Sequence, residues 1–244
     1  MHVLAVDAGN TRIKWGLWDG HWSRQDFVPT ADVALLDGVW KTLPVLRQMV
    51  ACNVAGKPVS DWLDAWAQRR GVSIRWVTSQ REQCGVRNGY GEPTQLGADR
   101  WAKLIGARHV VAGAALAVNA GTAVTIDALT AEGEFVGGLI LPGLELMAES
   151  LARGTAGLPR VRGAFEVFPA NTADAIASGA IQSVCGAVER MAGALAARGA
   201  EPEILLSGGA APVIHTHLGR PARLIPNLVL EGLRVIAEGE GQDT

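Results

Sequence analysis

Two short regions of the chain show the clearest alternation of hydrophobic and other residues, and each follows a glycine turn. After LAVDAGNT, the residues Ile13, Trp15 and Leu17 alternate with other residues, and the same alternation follows LAVNAGTA over 124–128. Alternation with a period of two is typical of a β-strand. Each region therefore predicts a strand, a tight glycine turn and a second strand.

The rest of the hydrophobic pattern predicts strands and helices in alternation. Strands are expected over 24–29, 47–53, 72–79, 134–141 and 203–207. Helices are expected over 31–42, from an N-cap at Ser60 to 70, from about 99 to 110, over 144–153 and over 172–197. Strands that alternate with helices indicate an α/β fold. Three strands before the first helix indicate that its sheets are mixed.

The two glycine regions are also near-copies of each other. LAVDAG begins at Leu4 and LAVNAG begins at Leu116, and the only difference between them is Asp7 in the first and Asn119 in the second. Similar strand and helix patterns follow both. We therefore expect two duplicated α/β lobes, over residues 1–112 and 113–244, with a ligand cleft between them.

Composition and charge exclude several classes of protein. The 244 residues are 48% hydrophobic, and the formal net charge is −2, which argues against disorder and against a nucleic-acid partner. No apolar run is long enough for a membrane helix, and Asp7 interrupts any signal-peptide pattern. The cysteines, Cys52, Cys84 and Cys185, are too far apart for a CxxC site. We expect a cytoplasmic protein without a membrane partner.

The first glycine turn, in DAGNT, is a candidate phosphate site. The chain has neither GxGxxG nor GxxxxGK[ST], and the turn joins two strands rather than a strand and a helix. Turn amides with the side chains of Asn10, Thr11 and Lys14 could bind phosphate, and Asp7 at the strand's end could hold Mg²⁺ through water. An ordinary hairpin, in which Asp and Asn satisfy turn amides, explains the same residues. Duplication favours the phosphate interpretation, because Gly121–Thr122 repeats the turn.

A second candidate is the stretch LGADRW, which opens a helix. Asp99 could accept a proton from a substrate hydroxyl while Arg100 binds a substrate carboxylate or amide. Taken alone, Asp99 is more simply explained as a helix cap. Tyr90, the only tyrosine, lies in the preceding loop. A third glycine element, Ser207–Gly209, could pack against an adenosine or be a tight strand–helix turn.

Together these stretches resemble a known family. DAGNTRIKWG, PTQLGADRW, NAGTAVTID, GGLILPG and NTADAIASG occur in the order seen in type III pantothenate kinases, which belong to the acetate kinase/sugar kinase/Hsp70/actin superfamily. The resemblance covers essentially the whole chain. It implies two ribonuclease H-like lobes of the actin-like ATPase kind. The implied reaction is the ATP-dependent phosphorylation of pantothenate to 4'-phosphopantothenate, the first step of coenzyme A biosynthesis, by a homodimer.

The resemblance also implies roles for individual positions. Asp99 matches the general base, and Asp7 lies near Mg²⁺. The ATP-binding positions are Asp7, Ala8, Gly9, Asn10, Thr11, Arg12, Ile13, Lys14 and Thr122. The pantothenate-binding positions are Tyr90, Gly97, Ala98, Asp99, Arg100 and Thr172, of which Thr172 could serve the neighbouring subunit's site.

One position departs from the family pattern. Many members have Asp where this chain has Asn119, and that acid resembles a ligand for K⁺ or NH₄⁺. Asn keeps a carbonyl oxygen but has no charge, so we do not expect a strong K⁺ dependence. Two alternative functions remain: a nucleotide-binding regulatory accessory protein of the same fold, and a kinase for another small hydroxylated acceptor.

Overall fold

The computed structural model describes residues 2–155, 163–199 and 201–239. It divides the chain into two compact units, which we call the first unit (residues 2–110 and 227–239) and the second unit (111–226 without the gaps). The C-terminal segment from Asn227 onwards belongs to the first unit, although the sequence placed it in the second lobe. Residues 240–244 of that predicted lobe lie outside the described residues.

The first unit is built on a sheet with a central strand from the N-terminus. Its elements before residue 111 are β1 His2–Ala8, β2 Arg12–Trp18, β3 Trp22–Pro29, α1 Leu35–Val39, β4 Leu46–Asn53, α2 Lys57–Arg70, β5 Ile74–Trp76, β6 Glu82–Gln83, β7 Val86–Asn88 and α3 Ala98–Val110. The sheet order is β3-β2-β1-β4-β5. Strand β1 is antiparallel to β2 and parallel to β4, so the sheet is mixed.

The second unit repeats this arrangement. Its elements are β8 Ala115–Ala120, β9 Ala123–Leu129, β10 Glu134–Pro142, α4 Leu144–Gly154, α5 Thr172–Ala196, β11 Glu203–Ser207, α6 Ala211–His217 and β12 Ala222–Leu224. Its strands follow the order β10-β9-β8-β11-β12, with β8 antiparallel to β9 and parallel to β11. Strand β8 therefore takes the place of β1, as expected for a duplication. Helix α5 packs on β8 and β9 over an apolar core.

Each face of the first sheet has its own helical layer. Trp15 of β2 packs with Trp40 and with Trp66 of α2 on one face, where these indoles are buried. Trp62, four residues before Trp66 on α2, packs against this core. Alternation then directs the side chains of Val3, Ala5 and Asp7 to the opposite face.

That opposite face is covered by α3 and by α7, Leu228–Gly239, which pack against each other and against β1 and β4. The two helices cross where Gly106 meets Gly232. A Cβ atom at either glycine would overlap the backbone of the other helix. Because α3 begins at Ala98, this packing places the predicted catalytic sequence against the sheet.

Several predicted elements differ from the structure. The helix expected over 31–42 is only a 3₁₀ turn, Thr30–Asp32, followed by the short α1. Helix α2 begins at Lys57 after an N-cap at Gly56, so Ser60 is not the N-cap, because Pro58 favours a helix start one turn earlier. The strand expected over 72–79 is limited to β5. Helices α6 and α7 were not predicted from the sequence.

No helix in the described ranges is long and apolar enough to cross a membrane.

Candidate active site

The first candidate residue, Asp7, lies near the carboxyl end of the central strand β1. In register it is opposite Lys14 on β2 and Cys52 on β4, and Lys14 is in turn opposite Phe27 on β3. Residues directly opposite on neighbouring strands share a face. The four side chains therefore form one row across the sheet, on the face covered by α3 and α7. The Cys52 thiol donates to Asp7 Oδ1 at 3.5 Å.

The surroundings of Asp7 disfavour its charged form. The residue is 7% exposed. The pKa of Asp7 is raised from 3.8 to about 6, chiefly by burial and also by the Asp99 carboxylate, against the lowering effects of Lys14 and of the Cys52 hydrogen bond. Burial likewise raises the pKa of the Cys52 thiol well above its ordinary value, so Cys52 is a neutral donor rather than a nucleophile. A nearby cation would stabilise the charged form of a buried carboxyl group such as Asp7.

The glycine turn beside Asp7 is exposed and is held in place by hydrogen bonds. Gly9 N–H donates to Arg12 O at 3.1 Å. Thr30, directly after β3, donates its hydroxyl to Gly9 O at 2.6 Å and its N–H to Thr11 O at 3.0 Å. The side chains of Asn10, Thr11 and Arg12 are exposed, whereas Ala8 and Ile13 are buried in the sheet. Of the predicted ATP-binding residues in this unit, Ala8 and Ile13 can therefore offer only backbone atoms.

Asp99 is the second residue of α3, within its first turn, rather than the residue before the helix. A Cβ atom at Gly97 would lie 2.7 Å from Asp99 Oδ1, so the carboxylate folds back over Gly97. Ala98 stands between them as the first helical residue. Since Asp99 is close enough to raise the pKa of Asp7, the two predicted acids occur in one neighbourhood of the first unit.

Arg100 and Tyr90 also come together. Arg100 is 5% exposed, and its Nη1 donates to the Tyr90 hydroxyl at 3.2 Å. The loop that carries Tyr90 is held by Asn88, which accepts from Tyr90 N at 3.0 Å and donates to Pro93 O at 3.2 Å. Ser79 donates to the same carbonyl at 2.7 Å. The predicted substrate residues Tyr90, Gly97, Ala98, Asp99 and Arg100 thus belong to one ordered loop and helix start.

The second unit has a tighter version of the glycine turn, with two residues, Gly121 and Thr122, between β8 and β9. Gly121 N–H donates to Ala123 O at 3.0 Å, and Thr122 O accepts from Gly143 N at 2.8 Å. Cβ atoms at Gly143 and Gly208 would overlap the backbone of 120–122. The glycines of GGLILPG and LLSGGAA therefore let two other segments press against this turn. Packing against the turn explains Gly208 without an adenosine.

Asn119 takes the place of Asp7 in the second unit. Its neighbours in register are Thr125 on β9 and Ser207 on β11, which are uncharged. Its Oδ1 is buried and accepts no hydrogen bond from the described residues. This atom could be one neutral ligand of a monovalent cation, and neither strand neighbour adds a carboxylate.

Thr172 lies away from these residues along the chain, at the first position of α5. It is exposed and borders a groove of about 520 Å³ between α4 and α5. The other residues that line the groove are small or apolar: Met147, Ser150, Leu151, Ala175, Ile176, Gly179, Ala180 and Ser183.

Three residues that contribute to the site were not found from the sequence. Cys52 contacts Asp7, Thr30 holds the glycine turn, and Phe27 lies under Arg12, whose Cζ is 4.4 Å from the ring centroid. Each depends on strand register over at least 15 positions of the chain. Local spacing carries no signal for such pairs.

Known structures with the same fold define the class of protein. A candidate 2-dehydro-3-deoxygalactonokinase of Sinorhizobium meliloti matches with a TM-score of 0.63 at 19% identity, over 98% of this chain and 99% of that one. MreB5 of Spiroplasma citri, bound to AMPPNP, matches with a TM-score of 0.53 at 9% identity, over 99% and 97%. The fold is therefore that of the actin-like ATPases and sugar kinases, which confirms the predicted duplicated α/β class.

Sequence relatives give the family. The family model for type III pantothenate kinase matches residues 3–194. The type III pantothenate kinase of Aromatoleum aromaticum is 48% identical over 96% of this chain and 97% of its own length, and that of Azoarcus sp. is 45% identical over 99% and 93%. The chain belongs to the type III pantothenate kinase family.

Proposed function

We propose that this protein is a pantothenate kinase that transfers the γ-phosphoryl group of ATP to the primary hydroxyl of pantothenate, giving 4'-phosphopantothenate for coenzyme A synthesis. Family membership supports the reaction. The observation that carries the site assignment is the neighbourhood of Asp7, its exposed glycine turn and Asp99 in one unit. An anion-binding turn beside a carboxylate that can accept a proton is what phosphoryl transfer to an alcohol requires.

Asp99 is the proposed general base. The bond between pantothenate oxygen and the γ-phosphorus forms while the bond from that phosphorus to the β,γ-bridging oxygen breaks, and ADP leaves. Asp99 accepts the hydroxyl proton and orients the attacking oxygen. Catalysis of this kind depends mainly on alignment and charge stabilisation. Gly97 contributes by leaving room for the carboxylate above its Cα atom.

Arg100 and Tyr90 are the proposed contacts for pantothenate. Arg100 is almost fully buried and donates a hydrogen bond to the Tyr90 hydroxyl, and a guanidinium group is a preferred donor to a carboxylate. Pantothenate contains a carboxylate group.

Phosphate binding is proposed for residues 9–12 and Lys14. Residues 10–12 are exposed and carry side-chain donors, and Lys14 adds a positive charge next to Asp7. Thr122 is proposed as a further ATP contact because its turn copies the first.

Asp7 is the proposed residue for holding Mg²⁺, through water. The fit is good, because a buried carboxyl with a second carboxylate nearby favours a cation, and Mg²⁺ prefers oxygen ligands. When bound, Mg²⁺ would neutralise charge on the ATP phosphates.

Thr172 and the groove between α4 and α5 support a homodimer. An exposed, largely apolar groove on a protein surface is typical of a site for association. We propose that a second copy of the chain covers it, and that Thr172 serves the partner's pocket.

A turnover assay tests the proposed function. Purified protein with MgATP and pantothenate should produce ADP and 4'-phosphopantothenate in equal amounts, while 2-dehydro-3-deoxygalactonate, acetate and hexoses should give little ADP above background. Turnover of one of the other acceptors alone would favour a different kinase. Tight ATP binding without turnover of any acceptor would favour the regulatory alternative.

A further inference from the structure

The end of strand β3 contacts the glycine turn in two places. The Thr30 hydroxyl donates to Gly9 O at 2.6 Å, and the Thr30 N–H donates to Thr11 O at 3.0 Å. Thr30 thus binds the first and third carbonyl groups of a three-residue turn. These contacts join segments about twenty positions apart in the chain and are not needed for the β2–β3 pairing, which ends at Pro29.

The hydroxyl contact fixes the orientation of one peptide group. In a planar trans peptide the C=O and the following N–H point in opposite directions. Holding Gly9 O on the Thr30 side therefore directs the Asn10 N–H away from Thr30. Asn10 is exposed, so a ligand can approach this part of the turn.

The Thr30 contact matters because glycine restricts its own backbone angles less than other residues do. Gly9 can populate backbone angles that other residues avoid, so the Gly9–Asn10 peptide would rotate more readily without the Thr30 contact. Rotation would point a carbonyl oxygen towards a bound phosphate. A turn that is already ordered binds its ligand with a smaller entropy loss.

A second contact from β3 restrains Arg12, which begins β2. The guanidinium carbon lies 4.4 Å from the centroid of the Phe27 ring. Phe27 is 47% exposed, so burial in the core does not explain the position of its ring. A cation over an aromatic face is held by the ring quadrupole. Phe27 therefore limits the positions available to one of the proposed phosphate-binding side chains.

We infer that Thr30 and Phe27 are positioning residues for nucleotide binding: Thr30 orients the amides of the turn, and Phe27 holds Arg12 for the phosphates. The inference rests on the proposed function for the identity of the ligand. Neither residue is proposed to touch the pantothenate hydroxyl. Replacing either residue should therefore weaken ATP binding and leave the KM for pantothenate unchanged.

The first test compares Thr30→Val with Thr30→Ser. Valine keeps the shape and removes the hydroxyl, whereas serine keeps the hydroxyl. Thr30→Val should raise the KM for ATP about 3- to 10-fold, the usual weight of one hydrogen bond. The KM for pantothenate should stay within 2-fold, and Thr30→Ser should restore the KM for ATP. Thr42→Val, an exposed threonine that contacts Arg24 instead, is the matched control and should leave both constants unchanged.

The second test is a double-mutant cycle on nucleotide affinity. Phe27→Leu and Arg12→Gln should each weaken AMPPNP binding in the presence of Mg²⁺, and the double variant should bind no more weakly than Arg12→Gln alone. Additive losses would contradict the role of Phe27. An equal change in both KM values, or serine behaving like valine, would contradict the role of Thr30.

Binding of AMPPNP separates this inference from the proposed function. If the wild-type protein does not phosphorylate pantothenate, the proposed function fails. The effect of Thr30→Val on AMPPNP affinity would still decide whether Thr30 positions the nucleotide turn.

Discussion

The glycine hairpins of the two units have the same architecture and different chemistry. In the first, Asp7 stands between Lys14 and Cys52, next to a three-residue turn. In the second, Asn119 stands between Thr125 and Ser207, next to a two-residue turn. The strand order around both is the same. The comparison shows that the duplicated sheet supplies a position for a polar side chain, while the residue at that position decides what it can bind.

The electrostatics differ accordingly. At the first hairpin, Asp7 lies near the Asp99 carboxylate and Lys14, and the pKa of Asp7 is raised. The second has a buried amide oxygen without a donor among the described residues, and its turn is packed by glycines from two other segments. These differences support the proposal of cation-assisted phosphate binding at the first hairpin and of a supporting contact at the second.

The largest expected effect comes from removing the proposed base, which only the first unit has. Asp99→Asn should lower kcat about 10²- to 10⁴-fold, the usual contribution of a positioned proton acceptor. The Kd for MgATP should stay within about 3-fold, because the change leaves the turn intact. Steady-state kinetics and calorimetry measure the two quantities. A kcat within a few-fold of wild type would mean that Asp99 only stabilises the start of α3.

The next test makes the first hairpin resemble the second. Asp7→Asn should weaken MgATP binding at least 10-fold, because the group that favours a cation is lost. Without ligand it should stabilise the fold at pH 7.5 by roughly 1–3 kcal/mol, since each pKa unit corresponds to about 1.4 kcal/mol. Urea titrations of both proteins without Mg²⁺ and ATP give this difference.

The sign of that effect follows from the raised pKa. Since the folded value of about 6 exceeds the ordinary 3.8, the Asp7 carboxyl stabilises the fold most below pH 3.8 and loses this contribution as pH rises through 6. The increase in the free energy of unfolding caused by Asp7→Asn should therefore become smaller as pH falls towards 4. A gain that is constant between pH 4 and 7.5 would contradict the assignment of burial as the cause.

A smaller effect should follow from filling the space that the Asp99 carboxylate occupies. Gly97→Ala places a Cβ atom 2.7 Å from Asp99 Oδ1, so the carboxylate must move. We expect kcat to fall roughly 10-fold, within the cost known for small displacements of reacting groups. ATP affinity should not change. Gly38→Ala, where a Cβ atom meets nothing within 4 Å, is the control and should keep full activity.

The smallest expected effect concerns the second hairpin. Replacing K⁺ by Na⁺ should change wild-type kcat/KM less than about 2-fold, because a neutral amide attracts a cation more weakly than a carboxylate does. Asn119→Asp should make the enzyme respond to K⁺ more strongly than the wild type. A large loss of wild-type activity without K⁺ would show that the amide oxygen suffices as a ligand.

Local periodicity and turn chemistry were enough to predict much of the fold. Both hairpins, β4, β10, α4 and α5 follow from alternation or from helical spacing, and the near-repeat gave the duplication. Errors arose where local signals compete. The helix expected over 31–42 is divided at residues 33–34, and Trp40 N–H closes the last turn of α1 on Leu36 O at 2.8 Å.

The features that were not predicted from the sequence depend on long-range packing. The placement of α7 in the first unit depends on Gly106 and Gly232 meeting at a helix crossing, and no spacing in the sequence reports that contact. The same holds for the site: Asp7 and Asp99 were identifiable as chemical groups, but the Cys52 and Thr30 contacts depend on strand register. Positions of candidate acids can be read locally, whereas the groups that tune and orient them cannot.

A crystal structure with AMPPNP, Mg²⁺ and pantothenate would show whether the first glycine turn and Asp99 serve one reaction. We expect the nucleotide phosphates against residues 9–14 and the pantothenate primary hydroxyl within about 3 Å of an Asp99 carboxylate oxygen. A structure in which that hydroxyl lies out of reach of Asp99, or in which the phosphates avoid the turn of the first unit, would contradict this expectation.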